Sequence, residues 1–169
     1  MKTMINLREN HQSTTIKILA SYIAAVLLMW FFHHYQFMVN VSESLPYRYW
    51  IVALKKLPQR RDYVCFRPSL ALTKEYGFSK TVTLTKQVLG ISGDIVREKD
   101  RDFYINNQYV GSAKTHSLEG EVLTLGPSGL IKPGYYYVGS EHPDSFDSRY
   151  EKMGWVHQTQ LVGVAYPLW

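Results

Sequence analysis

The sequence predicts a mainly β, antiparallel domain standing behind one N-terminal transmembrane helix. A strongly apolar run, Ile16 to Phe32, lies near the start of the 169 residues. From residue 41 onward, short aromatic and β-branched runs alternate with glycine, proline and asparagine turn signals. Beyond the anchor the spacing supports only a short helix, near Ser69 to Tyr76. The expected organisation is a tail over 1–15, an anchor over 16–34 and one folded domain over 35–169.

Composition narrows the function classes. A hydrophobic content of 46% supports a packed core and excludes a disordered chain. The net charge is +5, but no basic stripe is interleaved with aromatics, so no nucleic-acid partner is expected. Lys55, Lys56, Arg60 and Arg61 form a basic cluster that reads as a solvated turn or as a contact for anionic lipid headgroups. Cys65, the single cysteine, sits in Tyr63-Val64-Cys65-Phe66 and reads as a small core residue.

The anchor carries one charge, Lys17, at its edge, where a lysine can snorkel to the interface. About 17 residues give roughly 25 Å, enough to span with help from the flanks. Trp30, Phe31, Phe32, His33, His34 and Tyr35 read as an interfacial belt. A cleavable signal peptide is the competing reading, and the bulky residues after the run argue against it. Lys2, Arg8 and Lys17 precede or open the span, which puts the N-terminus in the cytoplasm and the domain outside.

The strand candidates follow in order. Tyr47 to Leu54, Tyr63 to Arg67 and Thr81 to Leu89 are rich in β-branched and aromatic residues. Asp94 to Glu98 and Phe103 to Val110 come next. Asn106-Asn107 divides the latter into a tight hairpin, because asparagine tolerates positive φ. Glu121 to Leu125, Tyr135 to Gly139 and Leu161 to Ala165 complete the set.

Three segments carry chemistry. Ser42-Glu43-Ser44-Leu45-Pro46 lies twelve residues past Phe32, close to the expected membrane surface. A serine hydroxyl needs a base before it becomes a nucleophile. Lys86 lies in the apolar run Thr83-Leu84-Thr85-Lys86-Gln87-Val88-Leu89. It either faces solvent by alternation or is buried for a reason. A buried lysine serves as a base only if its pKa falls from about 10.4 towards about 7–8. The third segment runs from Gly139 to Tyr150, where Asp147 and Arg149 would share a face of an extended chain and pair. A Ser-His-Asp triad built from His142 with Asp144 or Asp147 is the competing arrangement. His33 and His34 read as interfacial, and His11, His116 and His157 lack a metal-ligand pattern.

Ser-x-Ser, then Lys86-x-x-x-Gly90-x-x-Gly93-Asp94-x-Val96, then Ser145-x-Asp147-Ser148-Arg149-Tyr150 stand in the order of the bacterial type I signal peptidases, which the chain resembles from about residue 40 to 169. The Ser44-Leu45-Pro46 and His142-Pro143-Asp144-Ser145-Phe146-Asp147-Ser148-Arg149-Tyr150 forms look most like the TraF-type relatives of conjugative plasmids. The resemblance implies an antiparallel β-rich, signal-peptidase-like catalytic domain. It implies Ser44 as nucleophile, Lys86 as general base and Ser42 as an oxyanion donor beside the Ser44 N–H. It further implies that Ser145 orients the lysine, that Asp147 and Arg149 brace the loop, and that Gly93 and Asp94 are structural. Tyr47, Tyr49, Trp50 and Ile51 are candidates for a membrane-resting surface or, equally, for a core strand.

The expected activity is that of a serine endopeptidase in the bacterial inner membrane, single-pass, with its catalytic domain in the periplasm. Its expected partners are the bilayer and a membrane-inserted pilin or other preprotein, with hydrolysis or ring closure ending the reaction. No metal or cofactor is expected. The alternatives are a general leader peptidase, against which the Ser-Leu-Pro form speaks, and a non-catalytic anchored subunit of a pilus or secretion assembly.

Overall fold

The computed structural model describes residues 2–79 and 81–168, with residues 2–13 as backbone only. It divides into two compact units, Met1–Gln36 and Phe37–Trp169. The first is one helix, α1 (Lys2–His34), so helical backbone continues through the segment expected as a tail. Within it Thr14–His34 has a mean hydropathy of 1.9 and is long and apolar enough to cross a membrane. Its described apolar side chains are mostly exposed, as a lipid-facing helix requires. The belt residues stack on one another, with Trp30 and His34 at 4.7 Å and Phe31 and Tyr35 at 5.2 Å between ring centroids. Lys2 and Arg8, on which the expected orientation partly rests, lie outside the described side chains.

The second unit is antiparallel β. Its strands are β1 (Tyr35–Val39), which begins in the first unit, β2 (Tyr49–Leu54), β3 (Tyr63–Phe66), β4 (Leu84–Gly90), β5 (Ile95–Lys99), β6 (Asp102–Ile105), β7 (Gln108–Ser112), β8 (Gly129–Leu130), β9 (Tyr135–Gly139), β10 (Val156–His157) and β11 (Leu161–Pro167). A seven-stranded sheet runs in the order β1-β2-β11-β3-β4-β9-β10, and a four-stranded sheet in the order β7-β6-β5-β8. The short helix α2 (Leu70–Glu75) forms where expected, with Ser69 as its N-cap accepting from the Leu72 N–H.

Alternation along β3 gives the large sheet two packed faces. Cys65 joins Leu45, Trp50, Val52 and Ala165 in one cluster, while Val64 and Phe66 join Val88, Val138 and Val156 in another. Trp50 is fully buried, which settles its role as core, whereas Tyr49 on the same strand is exposed. A third cluster, including Val96, Phe103, Ile105, Ile131 and Tyr137, fastens the four-stranded sheet to β9.

The expected hairpin forms: Asn106 and Asn107 take φ of 49° and 68° between β6 and β7. Asp100 and Arg101 make a second positive-φ turn, between β5 and β6, that their residue types did not announce. The Arg101 guanidinium compensates by donating to the carbonyls of Ala113, Lys114 and Leu123. Two expectations need correction. Glu121 to Leu125 forms isolated bridges, His116 to Val122 and Leu125 to Tyr150, rather than a strand. Its backbone is taken up by Thr115 and Glu151, and positive-φ Gly120 breaks it at one end. Likewise β4 starts at Leu84, three residues later than the β-branched run suggested.

β11 lies between β2 and β3, and Gly163 sits at its bulge, opposite Leu54 and Cys65. A Cβ there would collide with the Ala53 carbonyl, its carbon only 2.7 Å away. Gly163→Ala is therefore expected to cost about 3 kcal/mol, the scale of an overpacked backbone contact. Urea melts of the full chain in detergent would measure this, and an unchanged midpoint would show that β2 and β11 part without penalty.

Candidate active site

Lys86 lies on β4, which is covered on both edges by β3 and β9. It pairs with Val64, and Val88 pairs with Val138, so alternation turns Lys86 and Val88 to one side among fully buried valines. Lys86 is left only 5% exposed. Its ammonium Nζ donates to Ser145 Oγ at 2.7 Å, and among the described residues no ion pair reaches it. Burial pushes the Lys86 ammonium down to about 8; Asp147 opposes that fall and Arg149 adds to it.

The loop that delivers Ser145 is built on a buried charge pair. Arg149 Nε and Nη2 donate to Asp147 Oδ1 and Oδ2, each at 2.8 Å. The same guanidinium donates to the carbonyls of Ser112 at 2.8 Å, Ser145 at 3.2 Å and His142 at 3.3 Å. Asp147 also accepts the Ser140 and Arg149 N–H groups. The pair is real, but its geometry differs from the expectation. The segment turns at this point, with the Tyr150 N–H on the Asp147 carbonyl, rather than presenting both side chains on one extended face. Gly126 packs against this turn, where a Cβ would run into the Ser148 carbonyl.

Asp94 belongs to a separate hydrogen-bond network. Burial would raise its carboxyl, but donors from Arg60, the Ile91 N–H and Asn106 outweigh that and hold it below the usual range. Arg60 pairs with Asp94 at 2.6 Å, so one member of the basic cluster is committed to the fold rather than free for headgroups.

Ser42 and Ser44 lie on the loop between β1 and β2, closed by Asn40 N–H donating to the Arg48 carbonyl at 2.8 Å. Buried Leu45 plugs the loop into the Trp50 and Val52 cluster. This leaves Ser44 half-buried and Ser42 exposed, their hydroxyl oxygens 3.0 Å apart. A cleft of about 380 Å³ opens there, lined by Ser42, Glu43, Leu45 and Tyr47 among others. Met38, at the end of β1, accepts the Thr83 and Thr85 hydroxyls, so this segment runs beside the start of β4. A larger cleft of about 660 Å³ is lined by Gln87, Leu89, Ser140, Glu141 and Arg149 among others.

The structure thus brings the sequence-predicted residues together in two groups: Lys86, Ser145, Asp147 and Arg149 in one, Ser42 and Ser44 in the other. Among the described residues no hydrogen bond joins Lys86 to Ser44; each is bonded to a different serine. The His142 triad finds no support in this geometry. His142 Nδ1 accepts the Asp144 backbone N–H, Asp144 holds Lys114 and Asp147 holds Arg149, so neither carboxylate orients an imidazole. Sequence reasoning missed Asn40 and Gly126. An asparagine two residues before a serine on a turn, and a glycine before Pro127, were the available signals.

A family model described as "Signal peptidase, peptidase S26" matches residues 12–169. The chain is similar to "Conjugal transfer protein TraF" of Agrobacterium fabrum strain C58, 29% identical over 145 residues that cover 77% of this chain and 80% of that protein. It is also similar to a signal peptidase I from Enterococcus faecalis V583 in its crystal structure, at 27% identity, with 64% of this chain and 97% of that chain covered and a TM-score of 0.41.

The burial of Lys86 has a stability consequence. A lysine whose folded pKa lies below its unfolded value binds fewer protons when folded, so it opposes folding fully below about pH 8. The opposition fades as pH rises towards the ordinary lysine range. At pH 7 the cost is about 3 kcal/mol. Lys86→Met is expected to be more stable than the parent at pH 7, and the advantage should shrink in melts at pH 10. A variant less stable at pH 7 would show that the ammonium is well solvated.

Proposed function

We propose that this chain, which belongs to the peptidase S26 family of signal peptidases, is a membrane-anchored serine endopeptidase that cleaves a membrane-inserted precursor with Ser44 as nucleophile and Lys86 as base. The observation that carries the reading is a buried lysine, paired with no carboxylate among the described residues, whose pKa lies near 8 and whose amine rests on a serine. A structural lysine has no need of that environment, which costs stability. A base does need it, because only a neutral amine accepts a proton.

In the proposed reaction the Ser44 hydroxyl turns to neutral Lys86 and gives it the proton as Oγ attacks the scissile carbonyl. The Ser44 N–H and the Ser42 hydroxyl stabilise the oxyanion, a contribution of about 3–4 kcal/mol per donor in known cases. The Lys86 ammonium then protonates the leaving amine. Water, or an amine of the substrate itself, resolves the acyl-enzyme and leaves Ser44 free. Ser145 keeps the amine in place, and the Asp147–Arg149 pair holds Ser145.

The apolar helix confines enzyme and precursor to one surface and raises their effective concentration. The inner membrane, with the domain in the periplasm, is the location this reading requires. The similarity to a conjugal transfer protein supports a role in conjugation, and in this reading the pilin is the precursor.

Two experiments test the reading. Intact-mass spectrometry of a pilin precursor co-expressed with the parent chain should show loss of a peptide that Ser44→Ala does not produce. A further loss of one water marks ring closure, whereas identical masses from both chains remove the nucleophile assignment. Separately, kcat/KM should rise about tenfold per pH unit below pH 8 and level off above it, since the base must lose its proton. A rate undiminished at pH 6 would exclude Lys86 as the base.

A further inference from the structure

The hydrogen-bond arithmetic of the serine loop has one solution. Asn40 Nδ2 lies 2.9 Å from the Ser42 carbonyl oxygen and 3.3 Å from that of Tyr47. Carbonyl oxygens only accept, so both amide protons are spent there and the orientation of the amide is fixed. Asn40 Oδ1 therefore faces Ser42, where it accepts the backbone N–H at 3.1 Å and the hydroxyl at 3.0 Å. Ser42 has one hydroxyl proton, and it goes to Asn40. In the 3.0 Å contact between the two serines, Ser42 Oγ must then be the acceptor and Ser44 Oγ the donor.

From this we infer that Asn40 is a positioning residue that sets the direction of the Ser42–Ser44 hydrogen bond. It anchors Ser42 through backbone N–H, backbone carbonyl and hydroxyl at once. With its proton held by Asn40, the Ser42 oxygen receives the Ser44 proton and keeps the Ser44 oxygen in one rotamer. In this resting arrangement neither hydroxyl proton is free, and the Lys86 amine lies on Ser145. Turning the Ser44 proton to the base leaves Ser42 Oγ without a donor. The Ser42 hydroxyl can then swing about its Cα–Cβ bond from Asn40 to a developing oxyanion, while the backbone bonds to Asn40 stay in place. No bond to carbon forms or breaks in the switch; two protons change acceptor, that of Ser44 from Ser42 to the base and that of Ser42 from Asn40 to the oxyanion. Asn40 thus acts on the reaction through Ser42, not by touching substrate.

The inference rests on Ser44 being the nucleophile, and a double-mutant cycle separates the two claims. Cleavage of the precursor by the full-length chain in detergent would be measured for the parent, Asn40→Ala, Ser42→Ala and the double variant, with Ser44→Ala as control. Asn40→Ala is expected to lower kcat about tenfold with KM changed less than twofold. In the Ser42→Ala background the same change should cost at least fivefold less, because the hydroxyl through which Asn40 acts is gone. Equal costs in both backgrounds, with Ser44→Ala inactive, would make Asn40 a loop scaffold only and overturn the inference. Cleavage by Ser44→Ala would overturn the nucleophile assignment and this inference with it. Should Asn40→Ala not fold, Asn40→Ser takes its place. A serine can close the turn through the Ser42 N–H but is too short to reach the Ser42 hydroxyl, so the same coupling is expected.

Discussion

The bidentate pair between Asp147 and Arg149 is the interaction on which the rest of the candidate site depends. Both side chains are almost fully buried, and a lysine amine lies close enough to feel both. A buried carboxylate left alone beside a lysine would hold it as an ammonium. Arg149 takes up that carboxylate with two parallel hydrogen bonds and adds its own positive charge to the neighbourhood. Desolvation is then free to set the lysine's pKa. Arg149 does this while spending its other donors on backbone carbonyls, so its buried N–H groups are satisfied.

The fold supplies what that pair needs. β4 is an interior strand, and Lys86 lies on the face it packs against buried valines, which leaves the lysine 5% exposed. The loop carrying Ser145 is stitched to β9 by Ser148, which exchanges hydrogen bonds with the Val138 backbone on both sides. It is tied to β7 through Arg149 on the Ser112 carbonyl. Gly126 allows the Thr124–Gly126 backbone to press against the same turn and accept the Glu151 N–H. Two sheets and a connecting segment thus converge on a loop of about ten residues. The loop is held by hydrogen bonds to its neighbours rather than by regular structure of its own.

The serine loop follows another logic. It is short, partly exposed and closed by one side-chain amide whose four hydrogen-bonding positions are all used. Leu45 pins it to the core from below. A rigid backbone with two rotatable hydroxyls suits a step in which protons change partners and heavy atoms barely move. It also means that the two halves of the site are held by separate networks, one centred on a guanidinium and one on an amide.

By itself the sequence determined the element types and the residue types at the site. The Asn106-Asn107 turn, the Ser69 cap, the apolar span and the β-branched strands are local properties, decided by φ preference, capping and side-chain shape within a few residues. The three motifs were legible for the same reason, since each is contiguous. Local pattern failed where the backbone found partners far along the chain. Glu121 to Leu125 has the composition of a strand, but Thr115 and Glu151 take its hydrogen bonds. The Asp100–Arg101 turn is held by three carbonyls more than ten residues away. Above all, alternation alone leaves Lys86 open to facing solvent or being buried. That choice belonged to tertiary structure, because burial depends on which strands lie beside β4 and on a charge pair sixty residues downstream, and neither distance is written in the local sequence.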